Sequence, residues 1–528
     1  MRRLSRGVAV SLLTLMLAGT ALSGPAWAQA KPDLTVALSS FSTETLDPAL
    51  GGHLVKYYLS MMFDYLVGTT LDGQPSKDGG IATRWENSPD YKRWTFYLRK
   101  GVKFHNGDDV TSEDVKFSIQ RAIGPRSTKG YAGPLRSLIQ AIETPAPDRV
   151  VIVTKDSTLI IPTYLSRSLS TEGMVLPKKY IEQVGDDVFA RKPVGSGPYK
   201  FVEQVTGSHI KLTAVDNHWR IGVPKYKTVT FKLVPEETTR IALLRRGEVD
   251  VADVSRERVK ELEKESFPVH FRKEEAILHM WWVLGPDGRT EPTKDKRVRE
   301  AMNIAIDRAE IAQSIFAGRA EPASIPMGLS WSFRDIGFKV TPEMAYQYDP
   351  ARAKKLLTEA GQGNGFTLDV YAFQLPGLPE GKAFAEAVTG YWEKIGIKTK
   401  LIPVDYPAFR KQWVDRKIPG SMGYYNIANR DWIGAYALLE KQAYTPSKLN
   451  DTVNDAEIDG MIAQVMRQTD REKINALMRN IYTRMRSEHY GVPVVNIHSP
   501  YATSKRLGKW NPGTVMYDLY IDELASSK

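Results

Sequence analysis

Strand-like and helix-like segments alternate along the whole chain, which predicts a mixed α/β protein. Three observations carry this reading. Short runs of β-branched and aromatic residues recur, as in Trp94 to Leu98 and Val150 to Val153. Helix starts carry capping chemistry. No Gly/Ser-rich linker or internal repeat divides the chain, so its lobes are expected to be interleaved rather than strung in a row.

Taken in order, Leu34 to Leu38 alternates weakly and reads as a first strand. Trp94 to Leu98 is the next. Thr111 followed three residues on by Asp114 reads as a capping box, and Val115, Ile119 and Ala122 continue at helical spacing. Lys211 to Val215, Val229 to Leu233 and Val249 to Val251 read as strands, the last preceded by a helix from Thr238 to Arg246 that Gly247 closes. Val298, Met302, Ala305 and Ala309 mark one helix face, with Gly318 ending the region. Asp349-Pro350 combines an N-cap with proline at the first helical position, and Gly361 stops that helix. Two further helices are expected over 456–468 and 470–488.

Composition excludes several function classes. The 528 residues contain no cysteine, so disulfides, thiolate zinc sites, iron–sulfur clusters and thiol nucleophiles are ruled out. The net charge of +11 is spread along the chain without a basic tail, which argues against a nucleic-acid partner. There is no G-x-x-x-x-G-K-[ST], G-x-S-x-G or H-E-x-x-H pattern. The eight histidines are never three to five apart, so no local metal pair exists; neither a metal nor a cofactor is expected. His105 and His498 read as packing residues. The absence of these motifs argues against an enzyme. A periplasmic hydrolase with two distant carboxylates stays open as the alternative.

The first 28 residues read as an export signal. Arg2, Arg3 and Arg6 precede an uncharged run from Val8 to Leu22, and Ala26-Trp27-Ala28 supplies a small-residue cleavage site. The run is too short to span a bilayer, which takes about 20 residues. Cleavage after Ala28, the Sec route and a periplasmic product that is not a lipoprotein are expected.

Five stretches then appear in one order. They are Thr45-Leu46-Asp47-Pro48; WTFYLRKGVKFHNGDDVTSEDV from Trp94 to Val115; PVGSGPYKF from Pro193 to Phe201; RVREAMNIAIDRAEI from Arg297 to Ile311; and the segment from Tyr348 to Phe366. Together they resemble family 5 of the bacterial extracellular solute-binding proteins, the group that includes dipeptide- and oligopeptide-binding proteins of ABC importers. The resemblance implies a periplasmic-binding-protein-like fold of two hinged α/β lobes with an extra inserted domain (cluster C type). Carried over, residues 29–63, 193–277 and 493–528 would form lobe I, 64–192 the extra domain and 278–492 lobe III. It also implies capture of a small polar solute by a monomer, and its delivery to membrane-embedded permease subunits driven by a cytoplasmic ATPase.

The ligand site is expected in the cleft between the lobes. Asp431 falls where peptide-binding relatives carry an aspartate that grips an α-ammonium group, with Trp432 beside it; the alternative is an aspartate capping the helix that follows. Arg416 is a candidate for a ligand carboxylate, since its planar fork binds carboxylates bidentately; the alternative is an exposed helix-end charge. Tyr425, Trp281 and Trp282 could stack on the ligand, though Trp281 and Trp282 face opposite sides of a strand and either could be core. The end of the first strand, Ser39 to Phe41, and the loop Gly51 to Leu54, including Gly52 and Leu54, should face the same cleft. Gly434-Ala435 and Ala428 depart from the peptide-binding pattern. A peptide or peptide-like solute is favoured, with opines, oligosaccharides or other non-peptide solutes as the alternative.

Overall fold

The computed structural model describes residues 32–524 apart from 42, 52–54, 72, 128–131, 170, 221, 283–291, 329, 374, 376–377, 429–431, 448–453 and 516–517; the side chains of 273–275, 330–331, 425–426, 428 and 523 are likewise outside the description. The expected export signal, Gly52, Leu54 and Asp431 thus lie outside the described residues.

Strand β1 (Leu34–Leu38) opens the chain, and helix α1 (Lys56–Met62) follows. The segment after α1 builds a separate four-stranded antiparallel sheet from β2 (Ala82–Asn87), β3 (Arg93–Leu98), β4 (Ile139–Ala146) and β5 (Arg149–Thr154), in the order β2-β3-β5-β4. The alternation in β3 decides its faces: Trp94, Phe96 and Leu98 are buried, and the first two sit opposite Ile152 and Val150. Helix α2 (Ser112–Ile123) starts on the expected capping box, with the Thr111 amide donating to the Asp114 carboxylate at 2.9 Å. The short helix α3 (Ile161–Tyr164) follows β5 and is buried throughout.

The chain then returns to the first sheet with β6 (Tyr199–Val205), β7 (His209–Ala214) and β8 (Thr228–Leu233), followed by helix α4 (Glu237–Arg245) and β9 (Val251–Asp253). β9 begins two residues later than the spacing of Val249 to Val251 suggests, because its ladder starts where the antiparallel neighbour ends, at Val251 opposite Thr503. β10 (Val269–Trp282) is the longest strand.

Helices α5 (Lys296–Ile304) and α6 (Arg308–Ser314) occupy the region expected to be one helix. Asp307 interrupts it by capping α6, accepting from the Glu310 amide at 2.9 Å, so Ala309 belongs to the second helix and is exposed. Next come α7 (Ser330–Ile336) and α8 (Pro350–Glu359), the latter capped by Asp349 as expected. β11 (Thr367–Ala372), α9 (Gly381–Lys394), β12 (Lys398–Pro403), α10 (Tyr406–Val414), β13 (Met422–Ala428) and α11 (Trp432–Gln442) come after them. α12 (Ala456–Arg467) and α13 (Arg471–Ser487) lead into β14 (Val492–Thr503).

The large sheet runs β12-β11-β13-β10-β14-β9-β1-β8-β7-β6, with Ala320–Pro322 pairing on β14. Its two long central strands, β10 and β14, lie antiparallel and belong to both halves. Val269 to Arg272 pair with Ala502 to Ser499, and Ala276 to Met280 pair with Ile497 to Val492, with a register shift between Arg272 and Ala276. The two strands therefore cross from one α/β lobe to the other at that irregularity. Among the described residues no helix is long and apolar enough to cross a membrane.

The most recognisable motif is a structural joint. Gly107 adopts a φ of 91°, and the Asn106 side-chain oxygen accepts from the Asp108 amide at 3.2 Å, which closes the turn. His105 accepts from the Gly195 amide at Nδ1 (3.2 Å), so its Nε2 carries the proton and donates to the Gly197 carbonyl at 2.9 Å. Burial lowers its pKa to about 4. Gly195 and Gly197 lie directly on the end of α1: a Cβ on Gly195 would stand 2.0 Å from the Met62 carbonyl oxygen. The Gly-Ser-Gly run thus serves backbone packing.

Candidate functional site

Parallel strands end together, and the turns beyond their carboxyl ends form a crevice where α/β proteins bind ligands. In one lobe β1 is parallel to β8 and β9; in the other β11 is parallel to β12 and β13. The carboxyl ends of these two groups face one another. Between them lies a crevice of about 820 Å³, lined on one side by Ser39, Ser40, Pro235, Glu236, Glu237 and Arg240 and on the other by Leu375, Pro379, Pro403, Val404, Asp405, Tyr406 and Pro407. The volume is within the range of small-molecule sites.

The floor on the β1 side is a polar network. The Ser39 hydroxyl donates to the Asp253 carboxylate at 2.6 Å, and Arg240 Nε lies 2.9 Å from the same group. Its Nη1 donates to the Val234 and Pro235 carbonyls at 2.7 Å, and its Nε donates to the Asp253 carbonyl at 3.0 Å. This arginine is buried and its charge is spent within the wall, leaving Glu236, Glu237 and Asp405 to set a negative lining. Asp405 also caps α10, accepting from the Ala408 amide at 3.0 Å. Tyr406 contributes an aromatic wall, its ring 5.2 Å from that of Phe373.

Two buried contacts join groups on opposite sides of the crossing strands. Arg256, just past β9, pairs with Glu380 at the start of α9 at 2.8 Å, its amide donates to the same carboxylate at 3.2 Å, and it reaches Ser499 on β14 at 3.3 Å. At the end of α3, the Tyr164 hydroxyl donates to Glu440 of α11 at 2.9 Å. Glu440 is buried, and burial raises its pKa to about 7 against the lowering effect of the Tyr164 hydrogen bond.

The residues singled out from sequence are distributed unevenly around this geometry. Ser39 and Ser40 line the crevice, whereas the Phe41 ring turns into the core, edge-on to Tyr58 at 5.9 Å. Trp281 and Trp282 pair with Gly423 and Met422 at the start of β13, away from its carboxyl end. Trp281 packs on Trp413 at 5.3 Å, and both tryptophans are buried. Arg416 lies just past α10 in a left-handed conformation (φ 55°) and is half-buried. α10 begins in the crevice at Tyr406, so at 1.5 Å per residue Arg416 stands about 15 Å along the helix from it. Trp432 opens α11; its ring is buried under the Arg471 guanidinium, 3.9 Å away, and its amide donates to Asp335 at 3.2 Å. Tyr425 lies on β13 opposite His279, with its side chain outside the description.

Glu236, Glu237, Asp405, Tyr406 and the Arg256–Glu380 pair escaped the sequence reading. One signal was available: Pro235-Glu236-Glu237 and Val404-Asp405-Tyr406 each connect a strand to a helix, and such turns face the crevice of an α/β sheet.

Two α/β lobes sharing one sheet, joined by two crossing strands around a crevice, define a periplasmic-binding-protein fold. Residues 78–446 match the model of the bacterial extracellular solute-binding proteins, family 5 Middle. The chain is 26% identical over 461 residues to a heme-binding protein A of Haemophilus influenzae, covering 80% of each. It is 25% identical over 508 residues to the glutathione-binding protein GsiB of Pectobacterium atrosepticum, covering 92% of each. The periplasmic binding protein DppA of Helicobacter pylori, solved with the peptide STSA, superposes with a TM-score of 0.81 at 22% identity, covering 94% of this chain and 98% of that one. The chain belongs to family 5 of the bacterial extracellular solute-binding proteins. Its function is that of the substrate-binding component of an ABC importer, working outside the cytoplasm.

Proposed function

We propose that the mature chain, cleaved after Ala28 and free of a lipid anchor, captures a peptide or peptide-like solute in the interlobe crevice. It hands that solute to permease subunits as a monomer, without chemical turnover. The observation that carries this reading is the crevice itself: about 820 Å³, with Ser39, Ser40, Glu236 and Glu237 on one wall and Asp405 and Tyr406 on the other. Its negative lining suits the amino end of a zwitterion, and its prolines and Tyr406 suit an apolar body. The similarity to a glutathione-binding protein points to the same class of solute. Asp431 anchors the ammonium group in this reading. Residues 64–192 form the inserted domain, which closes with lobe I.

Native mass spectrometry of protein purified from its own periplasm weighs whatever solute co-purifies. A thermal-shift screen of ligand-stripped protein across peptides, opines and oligosaccharides then ranks the classes. At 100-fold excess over Kd, a true ligand adds about 2.7 kcal/mol to stability. Consumption of the stabilising solute with turnover would replace the binder by a hydrolase; stabilisation by sugars alone would remove the peptide reading.

A further inference from the structure

Tyr164 and Glu440 lie on opposite sides of the two crossing strands. Tyr164 belongs to the inserted domain, before the β10 irregularity, and Glu440 to α11, between it and β14. A rotation of the lobes about those strands changes the distance between them, so their 2.9 Å hydrogen bond is a contact of this lobe arrangement. Around it, Ile160, Ile161 and Leu165 of the inserted domain share one apolar cluster with Tyr436, Leu438 and Leu439 of α11. A carboxyl group in that seam loses water when the faces meet.

We propose that closure of this seam is coupled to protonation of Glu440, so that the closed form takes up one proton and the solute-binding equilibrium depends on pH. This regulates the crevice assigned above and rests on that reading of the lobes as a closing pair.

The surroundings of Glu440 support it. From the inserted domain the facing polar group is the Tyr164 hydroxyl. On its own helix Tyr436 lies one turn away, and burial, then Glu440 and Tyr444, push its hydroxyl pKa upward. Burial raises the Glu440 pKa and the Tyr164 hydrogen bond opposes the shift. From α7, Asp335 is engaged at the other end of α11, accepting from the Trp432 amide; Arg334 beside it is exposed. Among the described residues no cation lowers the Glu440 pKa in the closed seam.

The sign follows from linkage. Closure raises the Glu440 pKa from the ordinary value near 4.3 to about 7. The closed form is therefore favoured most below the open-state value. That advantage is lost as pH rises through the closed-state value, and the equilibrium is level above it.

Because the chain has no cysteine, spin labels can be placed at Lys155→Cys and Lys354→Cys, both exposed and on opposite sides of the crossing strands. Distance distributions of the full mature chain, recorded without added solute from pH 5 to pH 8.5, report the closed-to-open ratio. It should fall at least tenfold between pH 5 and pH 7.5 and then flatten. Glu440→Gln, neutral at every pH, should hold the low-pH ratio throughout. Glu380→Gln, which leaves Glu440 intact, should keep the pH dependence. A wild-type ratio that ignores pH, or a pH dependence that survives in Glu440→Gln, overturns the proposal. No solute is needed, so the result stands even if the search for a ligand fails.

Discussion

The carboxylate of Glu380 receives both the guanidinium of Arg256, at 2.8 Å, and the Arg256 backbone amide, at 3.2 Å, across the boundary between the lobes. Both side chains are buried, and the same guanidinium reaches Ser499 on a crossing strand and lies 5.3 Å from the Phe316 ring. The pair therefore ties both lobes and the strands between them into one arrangement, beside the crevice wall at Pro379.

Breaking a buried pair on one side leaves the other charge unpaired, at a cost of about 3–5 kcal/mol. If the pair forms on closure, Glu380→Gln should speed solute release by two decades or more while leaving association nearly unchanged. Stopped-flow fluorescence with the stabilising solute from the thermal-shift screen measures both rates. An unchanged dissociation rate would make the pair a static brace.

Asp431→Asn keeps the side chain's shape and removes its charge. If Asp431 holds a ligand ammonium group, affinity should fall by roughly two to three and a half decades, from a loss of about 3–5 kcal/mol. The melting temperature of the ligand-free protein should hardly move. A helix-capping role predicts the reverse, about 1 kcal/mol of stability lost with affinity intact. Calorimetric titration and one melting curve separate the two.

Acid stability should depend on the carboxyl-terminal segment. Arg167, just past α3, pairs with Asp518 at 2.5 Å and with Asp522 at 3.2 Å, and Arg220 pairs with Asp522 at 2.7 Å. Burial opposes ionisation of both aspartates, but the arginine charges outweigh it and hold both below the ordinary range. Groups so lowered stabilise the fold above the unfolded carboxylate pKa, near 3.9, and lose that contribution as pH falls through the folded values. Asp522→Asn should cost several kcal/mol at pH 7, by analogy with other broken buried pairs. Its deficit against wild type should shrink at pH 3 and below. Urea unfolding at both pH values tests this; a constant deficit would contradict it.

Gly195 and Ser196 should respond in opposite ways. Gly195→Ala drives a Cβ onto the Met62 carbonyl, a backbone atom that cannot swing away, and should cost about 1–3 kcal/mol or more. Ser196 has a buried hydroxyl without a hydrogen-bond partner among the described residues, so Ser196→Ala should be neutral or slightly stabilising. Denaturant midpoints of the two variants give the comparison. A large loss in Ser196→Ala would show that this hydroxyl does more than fill space.

Local chemistry was legible without coordinates. The strand-forming residues from Trp94 to Leu98 marked a strand, Thr111 and Asp114 set the start of a helix, and Asp349-Pro350 set another. Each depends on residues within a few positions of one another, so spacing alone carries the information. The family motifs specified the architecture for the same reason: they are turns and joints, such as Asn106-Gly107 and Gly195 to Gly197, whose backbone demands admit few residues. The crevice depends on a different scale. Glu237 and Asp405 are far apart in sequence and line one crevice only because two sets of parallel strands end face to face. Arg256 finds Glu380, and Tyr164 finds Glu440, across 124 and 276 residues. Trp281 and Arg416, chosen for their chemistry, lie against Trp413 and at the far end of α10, because strand register and helix length govern where a side chain arrives. Residue type states what a group could do, whereas which groups share a desolvated space is decided by packing over the whole chain.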